Sequence, residues 1–219
     1  KNPYEGKWIA VVAEALGTQM PIEECFEGDV NLEIEHSGKV KFTIDNDKGT
    51  GKLAKKDEKT VLKIEGEEMS VTLDGDTLTL DDLLGQGVNI IFGREGTDAT
   101  NPENYLSEDE LAVIGEWYSE NVKELLDEEA QTTLDGVDNI NDAMRLNFAK
   151  DRTVQVIYKG AELGTYPWSA LYGYYAIEMD DEAPENVLIT MEEDGSLSVQ
   201  YSDEDDYLTF KYVKSAGEE

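Results

Sequence analysis

Cys25 and His36 are the one thiol and the one imidazole of the chain. A thiol acts as a nucleophile only beside a group that lowers its pKa or takes its proton, so these two are the first pair to weigh. A strand start is expected between them, and nothing in their spacing joins them. One His and one Cys are also too few for the usual nitrogen and sulfur sites of zinc. Carboxylates are abundant instead, with 50 Asp and Glu against 18 Lys and Arg. Paired carboxylates hydrolyse glycosides when their separation in space is right. Among fifty acids a sequence singles out no pair. Oxygen-rich turns occur at Asp45-Asn46-Asp47, at Asp180-Asp181-Glu182 and over residues 203–206. None has the spacing of a calcium-binding loop, which places Gly at position 6 and Glu at position 12. Gly85-Gln86-Gly87 lacks the third glycine and the following helix of a dinucleotide turn. No catalytic residue, no metal and no cofactor is therefore expected, and the chain reads as a binding protein rather than an enzyme.

The residues that best suit binding are aromatic. Ten of the eleven tyrosines follow residue 100. Tyr166, Trp168, Tyr172, Tyr174 and Tyr175 fall within ten positions. Aromatic rings beside carboxylates stack on sugars or grip an apolar ligand. An aromatic-rich core lining is the other reading of the same residues, and the favoured one.

The elements that must position them are strands. Val30, Leu32 and Ile34 alternate with polar residues, and after His36-Ser37-Gly38 so do Val40, Phe42 and Ile44, the pattern of a hairpin with one buried face. Further strands are expected near residues 50–54, 61–64, 69–73, 78–80 and 88–94. Asp74-Gly75 is a strong hairpin signal among them. A break at residues 19–27, with Glu23 and Glu24 following Pro21, predicts a short helix or lid. Residues 95–107 read as a connection. Ser107-Glu108-Asp109-Glu110 has capping-box form and predicts a one-turn helix. The plan then repeats. Gly115-Glu116-Trp117-Tyr118 answers Gly6-Lys7-Trp8-Ile9, and about eight strands follow each. Val122, Leu125, Leu126 and Ala130 have helical spacing, which predicts a helix over residues 121–130 in the place of the 19–27 segment. The boundaries are 1–97 for the first module, 98–107 for the linker and 108–219 for the second. A meander of eight strands removes its exposed edges by closing on itself. An eight-strand barrel has room for side chains or for one small ligand.

Gly-x-Trp on the first strand, a short helix after it, and a meander ending in an aromatic and a cationic residue resemble the lipocalin-like (calycin) architecture. More narrowly, the chain resembles the tandem lipocalin-like repeats of secreted or lipid-anchored proteins of Gram-positive gut bacteria. The resemblance implies an all-β protein of two eight-stranded antiparallel up-and-down barrels, each with a short helix after its first strand. It implies that Trp8 plugs the closed barrel end with Arg94 packed over it, a cation–π contact worth about 0.5–2 kcal/mol. Trp117 takes the same place in the second barrel. There the cation is Lys211 or Lys214, depending on register.

The formal charge of −32 is uneven. Residues 1–97 hold 20 acids and 11 bases, and residues 98–219 hold 30 acids and 7 bases. Such a field repels nucleic acid and anionic lipid and favours solubility, cations or a basic partner. No run approaches the roughly 18 apolar residues that span a bilayer, so no transmembrane segment is expected. The chain opens on Lys1, which fits a leader already removed, as in exported proteins, and equally a fragment boundary. The expectation is a secreted or lipid-anchored surface protein binding a small hydrophobic ligand. The alternative is a structural or adhesive surface module that binds a protein or a glycan.

Overall fold

The structure is a computed structural model and describes residues 2–16, 18–179, 187–202 and 207–214. The chain divides into two compact units between Ser107 and Glu108.

In the first unit, β1 (Gly6–Ala15) is followed by a short strand β2 (Thr18–Pro21) and a one-turn helix α1 (Ile22–Cys25). Then come β3 (Val30–Ile34), β4 (Lys39–Ile44), β5 (Asp47–Lys56), β6 (Lys59–Ile64), β7 (Glu67–Asp74), β8 (Thr77–Leu80) and β9 (Val88–Arg94). Each of β3–β9 pairs with its neighbour in sequence, β3 pairs with β1, and β9 returns to β1, so the sheet closes. β2 is a flap paired only with the end of β1. Two-residue turns set the register where the backbone takes positive φ at both central residues, as at Asp45-Asn46 and Asp57-Glu58. Alternation then sends Leu32, Leu62, Leu78, Ile90 and Phe92 inward with Trp8. Burying each such side chain contributes roughly 1.5–3 kcal/mol.

The second unit opens with α2 (Glu108–Val113), then β10 (Gly115–Glu124), β11 (Met144–Phe148), β12 (Thr153–Tyr158) and β13 (Ala161–Leu171). It continues with β14 (Tyr174–Ile177), β15 (Val187–Met191), β16 (Leu197–Ser202) and β17 (Tyr207–Lys214), and β17 pairs back onto β10 to close the barrel. Two closed eight-stranded antiparallel barrels thus follow one another along the chain, as the alternation and the resemblance led us to expect.

The likeness of the two barrels extends to backbone detail. Trp8 pairs with Leu32 and Trp117 with Leu146. The first strand of each barrel carries a bulge at the same step, between Ala10 and Val12 and between Ser119 and Asn121. Each indole is buried and donates its Nε1–H to the carbonyl four residues earlier, Trp8 to Tyr4 (2.9 Å) and Trp117 to Val113 (2.7 Å). A buried indole N–H needs such a partner, and in both barrels the lead-in segment supplies it.

One expected helix is absent. Residues 121–124 extend β10, and residues 125–139 run without a helix to a 3-10 turn at Ile140–Asp142. The bulge after Ser119 shifts the alternation so that Val122 still faces inward. Leu125 and Leu126 are 67% and 92% exposed, so no apolar stripe is buried there and a helix would gain nothing. The short helix after the first strand belongs to the first barrel alone. Residues 98–107 form two 3-10 turns, Asp98–Thr100 and Pro102–Tyr105. Tyr105 Oη donates to Ala99 O (2.7 Å) and meets Thr77 Oγ1 (3.2 Å) on β8.

Candidate functional site

The aromatic segment forms the β13–β14 hairpin, and its turn is Tyr172-Gly173, both at positive φ. Strand alternation divides its five aromatic residues between two faces. Trp168 and Tyr175 point inward and are buried. Trp168 meets Phe148 edge-on at 5.3 Å between ring centres and lies 6.4 Å from Tyr175. Tyr166 also points inward, is half-buried, and donates its hydroxyl hydrogen to Leu163 O (2.6 Å). Tyr172 sits on the turn and Tyr174 on the outer face, and both are exposed. The structure therefore brings three of the five together in the core and leaves the other two in solvent.

Helix α2 covers the same end of the barrel as the Tyr172-Gly173 turn. Tyr175 Oη donates to Asp109 O (2.9 Å), and Gly173 N donates to the Asp109 carboxylate (3.3 Å). Burial, with the Asp109 charge adding to it, pushes the Tyr175 phenol up to about 12. Glu110 reaches Arg152, which sits in the β11–β12 turn, through Nε (2.6 Å) and Nη2 (3.4 Å), and both side chains are almost wholly buried. Tyr175 thus helps to fasten the cap.

The outer wall beside this hairpin has an unusual composition. Its outward positions are Ser169 and Leu171 on β13, Tyr174 and Ala176 on β14, Leu188 and Thr190 on β15, and Ser198 and Gln200 on β16. They line a shallow pocket of about 420 Å³. None is Asp, Glu, Lys or Arg, although residues 98–219 carry 30 acids. Tyr174 is 64% exposed, and Leu171 and Leu188 are each about half exposed. A ring, two leucines and a rim of hydroxyl and amide groups on the barrel wall make a neutral amphipathic contact face. Leu188, Ser198 and Gln200 join Tyr174 on this wall only through strand register, which spacing in the sequence does not reveal.

Inside the same barrel, Tyr212 on β17 is fully buried, and its hydroxyl has no hydrogen-bond partner among the described residues. Burial pushes its phenol well up, and the nearby Tyr158 adds to the shift. The ring lies 5.9 Å from Phe210, and Tyr158 packs on Tyr201 at 4.9 Å.

The Arg94 guanidinium lies 4.2 Å from the centre of the Trp8 ring. It donates to Asp76 Oδ1 (2.8 Å), Glu5 O (2.8 Å) and Pro3 O (3.1 Å). Trp117 is buried in the equivalent place, and the residue opposite it on the last strand is Lys214, as Arg94 is opposite Trp8. Lys211 lies opposite Asn121 and Ser198, and its Nζ is 3.0 Å from Asp194. His36 meets Glu5 (3.0 Å) rather than Cys25, whose residue is exposed but whose thiol is partly desolvated; that desolvation, with the Glu24 charge adding to it, raises the thiol pKa and disfavours the thiolate. Asp45 and Asn46 accept from the backbone N–H groups of Gly28 and Asp29, which makes them loop clamps. The acidic runs at 180–182 and 203–206 lie outside the described residues. Among the described residues no group of three His, Cys, Asp or Glu side chains is placed to hold a metal. No described helix is long and apolar enough to cross a membrane.

Neither a protein-family description nor a curated protein sequence matches the chain. Among solved structures, it is similar to a protein of unknown function from the DUF3598 family of Nostoc punctiforme PCC 73102, at 12% identity over 95% of this chain and 94% of that one, with a TM-score of 0.27. Similarity at that level says nothing of what either protein binds.

Proposed function

We propose that this protein binds a neutral glycan without turning it over, through the outer wall of β13–β16 in its second barrel. The observation that carries the reading is the charge-free patch around Tyr174 in the more acidic half of the chain. A neutral sugar meets no repulsion there. Its apolar face stacks on an exposed ring while its hydroxyls exchange hydrogen bonds with Ser169, Thr190, Ser198 and Gln200. A cell-surface or extracellular location goes with this reading as part of the proposal, and fractionation of the producing cell tests it.

Calorimetric titration with neutral hexasaccharides of glucose, mannose and xylose tests the binding. At least one should bind, and Tyr174→Ala should weaken it about tenfold, the cost of truncating one central contact residue. Heat-free titrations throughout, or a Tyr174→Ala variant that binds as the parent does, remove the reading. Release of reducing ends on incubation would contradict binding without turnover.

A second reading keeps the barrel interior. The Tyr212 hydroxyl, without a partner among the described residues, supports a small apolar ligand carrying one hydrogen-bonding group, since pairing a buried hydroxyl recovers about 1–3 kcal/mol. Quenching of the buried indoles by fatty acids, bile acids or sterols, lost in Tyr212→Phe, is its test. A flat response to all three classes discards it.

A further inference from the structure

The outer wall of the first barrel has the opposite character from the second. On three adjacent strands the outward positions are Lys39, Lys41 and Thr43 on β4, Lys48, Thr50, Lys52, Ala54 and Lys56 on β5, and Lys59, Val61 and Lys63 on β6. Seven of the eighteen basic residues of the chain stand here, and no outward position on these strands is acidic. Acids are confined to the connecting turns and to Asp47, the first residue of β5.

Register places like charges directly against each other. Lys39 is opposite Lys52, Lys52 is opposite Lys63, and Lys56 is opposite Lys59. Side chains so paired stand about 4.5–5.5 Å apart at Cβ, and like charges there are destabilising. The borders of the wall are neutralised. Glu33 and Glu35 hold Lys41 on the β3 side, and Glu68 on β7 holds Lys56 and Lys63. The ammonium groups of Lys39, Lys48, Lys52 and Lys59 have no partner among the described residues. Four unpaired cations in a protein with 50 acids mark a surface from which acids are kept away.

We propose that this wall binds a linear anionic glycan. The repeat of cations across strands spaced about 4.8 Å apart suits an extended chain with closely repeating negative charge, not a single small anion. Lysine supplies point charges without the planar fork of arginine, so charge density is read and not bidentate geometry. Thr43 and Thr50 add hydroxyls among the lysines. No aromatic ring stands on the wall, which denies single-stranded nucleic acid a stacking platform. A closed barrel offers an acidic peptide no free strand edge to pair with. Charge complementarity and the threonine hydroxyls among the lysines favour a hydroxyl-rich polyanion.

Affinity electrophoresis of the whole chain through gels containing polygalacturonate tests the proposal, with the salt dependence of retardation as a second readout. Despite its net charge of −32 the protein should be retarded at low salt and released as salt rises. The triple variant Lys39→Gln, Lys48→Gln, Lys52→Gln should bind roughly a hundredfold more weakly. Its plot of log affinity against log salt should be shallower by about 2, because three contacts are lost. Lys7→Gln, on another strand, should behave as the parent, and circular dichroism checks that each variant is folded. Unretarded parent protein overturns the proposal, and so does a folded triple variant retarded as strongly as the parent. Displacement by poly-L-glutamate at lower concentrations than by free polygalacturonate assigns the wall to an acidic polypeptide and overturns the glycan.

Discussion

Replacing Glu110 by alanine should loosen the cap of the second barrel while leaving the first barrel untouched. Glu110 is 5% and Arg152 10% exposed in their side chains, and two hydrogen bonds join them. Their attraction offsets the large cost of taking two charges out of water, and removing one partner leaves the other charge buried and unpaired. Breaking such a pair costs about 3–5 kcal/mol. That is a large share of the 5–15 kcal/mol that holds a typical domain folded. For a unit near a hundred residues it lowers the unfolding temperature by on the order of 15 °C. The double variant Glu110→Leu with Arg152→Met should recover most of the loss, because an apolar pair of similar volume needs no solvation. The coupling between the two sites should be about 3 kcal/mol. Urea unfolding followed by fluorescence reads this in a Trp8→Phe background, where Trp117 and Trp168 report the second unit alone. Because α2 also ties the Tyr172-Gly173 turn through Asp109, the single variant should speed amide hydrogen exchange in β14. A loss below about 1 kcal/mol, or a double variant no more stable than the single, would show that the pair is solvated and that the cap is held by something else.

Three further perturbations follow from the coordinates. A Cβ added at Gly93 would stand 2.1 Å from the Ala99 carbonyl oxygen, so Gly93→Ala should destabilise the first unit by about 1–3 kcal/mol or more, read by urea unfolding in a background with Trp117 and Trp168 replaced by Phe, where Trp8 alone reports. Tyr212→Phe removes a buried hydroxyl that has no partner among the described residues, so stability should stay within about 1 kcal/mol of the parent or rise; a loss above 2 kcal/mol would mean that the hydroxyl is satisfied. Hydrogen bonds from Lys56 and then Lys63 hold the Glu68 carboxyl down at about 2. Its folded value lies below the unfolded one, so its contribution to stability is present above the ordinary carboxylate range near pH 4.3 and is lost as pH falls towards 2. Carbon-detected titration should find that midpoint, and Lys56→Gln with Lys63→Gln should return it to the ordinary range.

Much of the fold could be read from alternation. The inward sets Val30, Leu32, Ile34 and Leu197, Val199, Tyr201 are buried as their period of two requires. The repeated Gly-x-Trp fixed the start of both barrels because an indole of that size has one place to go at a barrel end. What failed was phase. A bulge after Ser119 gave Val122, Leu125 and Leu126 a helical look, while the backbone continued as strand and then left the sheet. The aromatic hairpin divides between two faces for a related reason. Neighbours in sequence such as Tyr174 and Tyr175 stand on opposite faces, and the outer patch is assembled from four strands that only register brings together. The lysine wall was written in the sequence as Lys39, Lys41, Lys48, Lys52, Lys56, Lys59 and Lys63, all on one parity of three strands. Net charge concealed it, because an average over 219 residues hides a local surplus.

The most direct test of the contact face is a map of backbone amide shifts in the isotopically labelled protein as a neutral hexasaccharide is added. Shifts gathered at Ser169–Leu171, Tyr174–Ala176, Leu188–Thr190 and Ser198–Gln200, and needing about tenfold more sugar in Tyr174→Ala, are the result expected. An unchanged spectrum at millimolar sugar, or shifts centred on Tyr212 and the barrel interior, would contradict it.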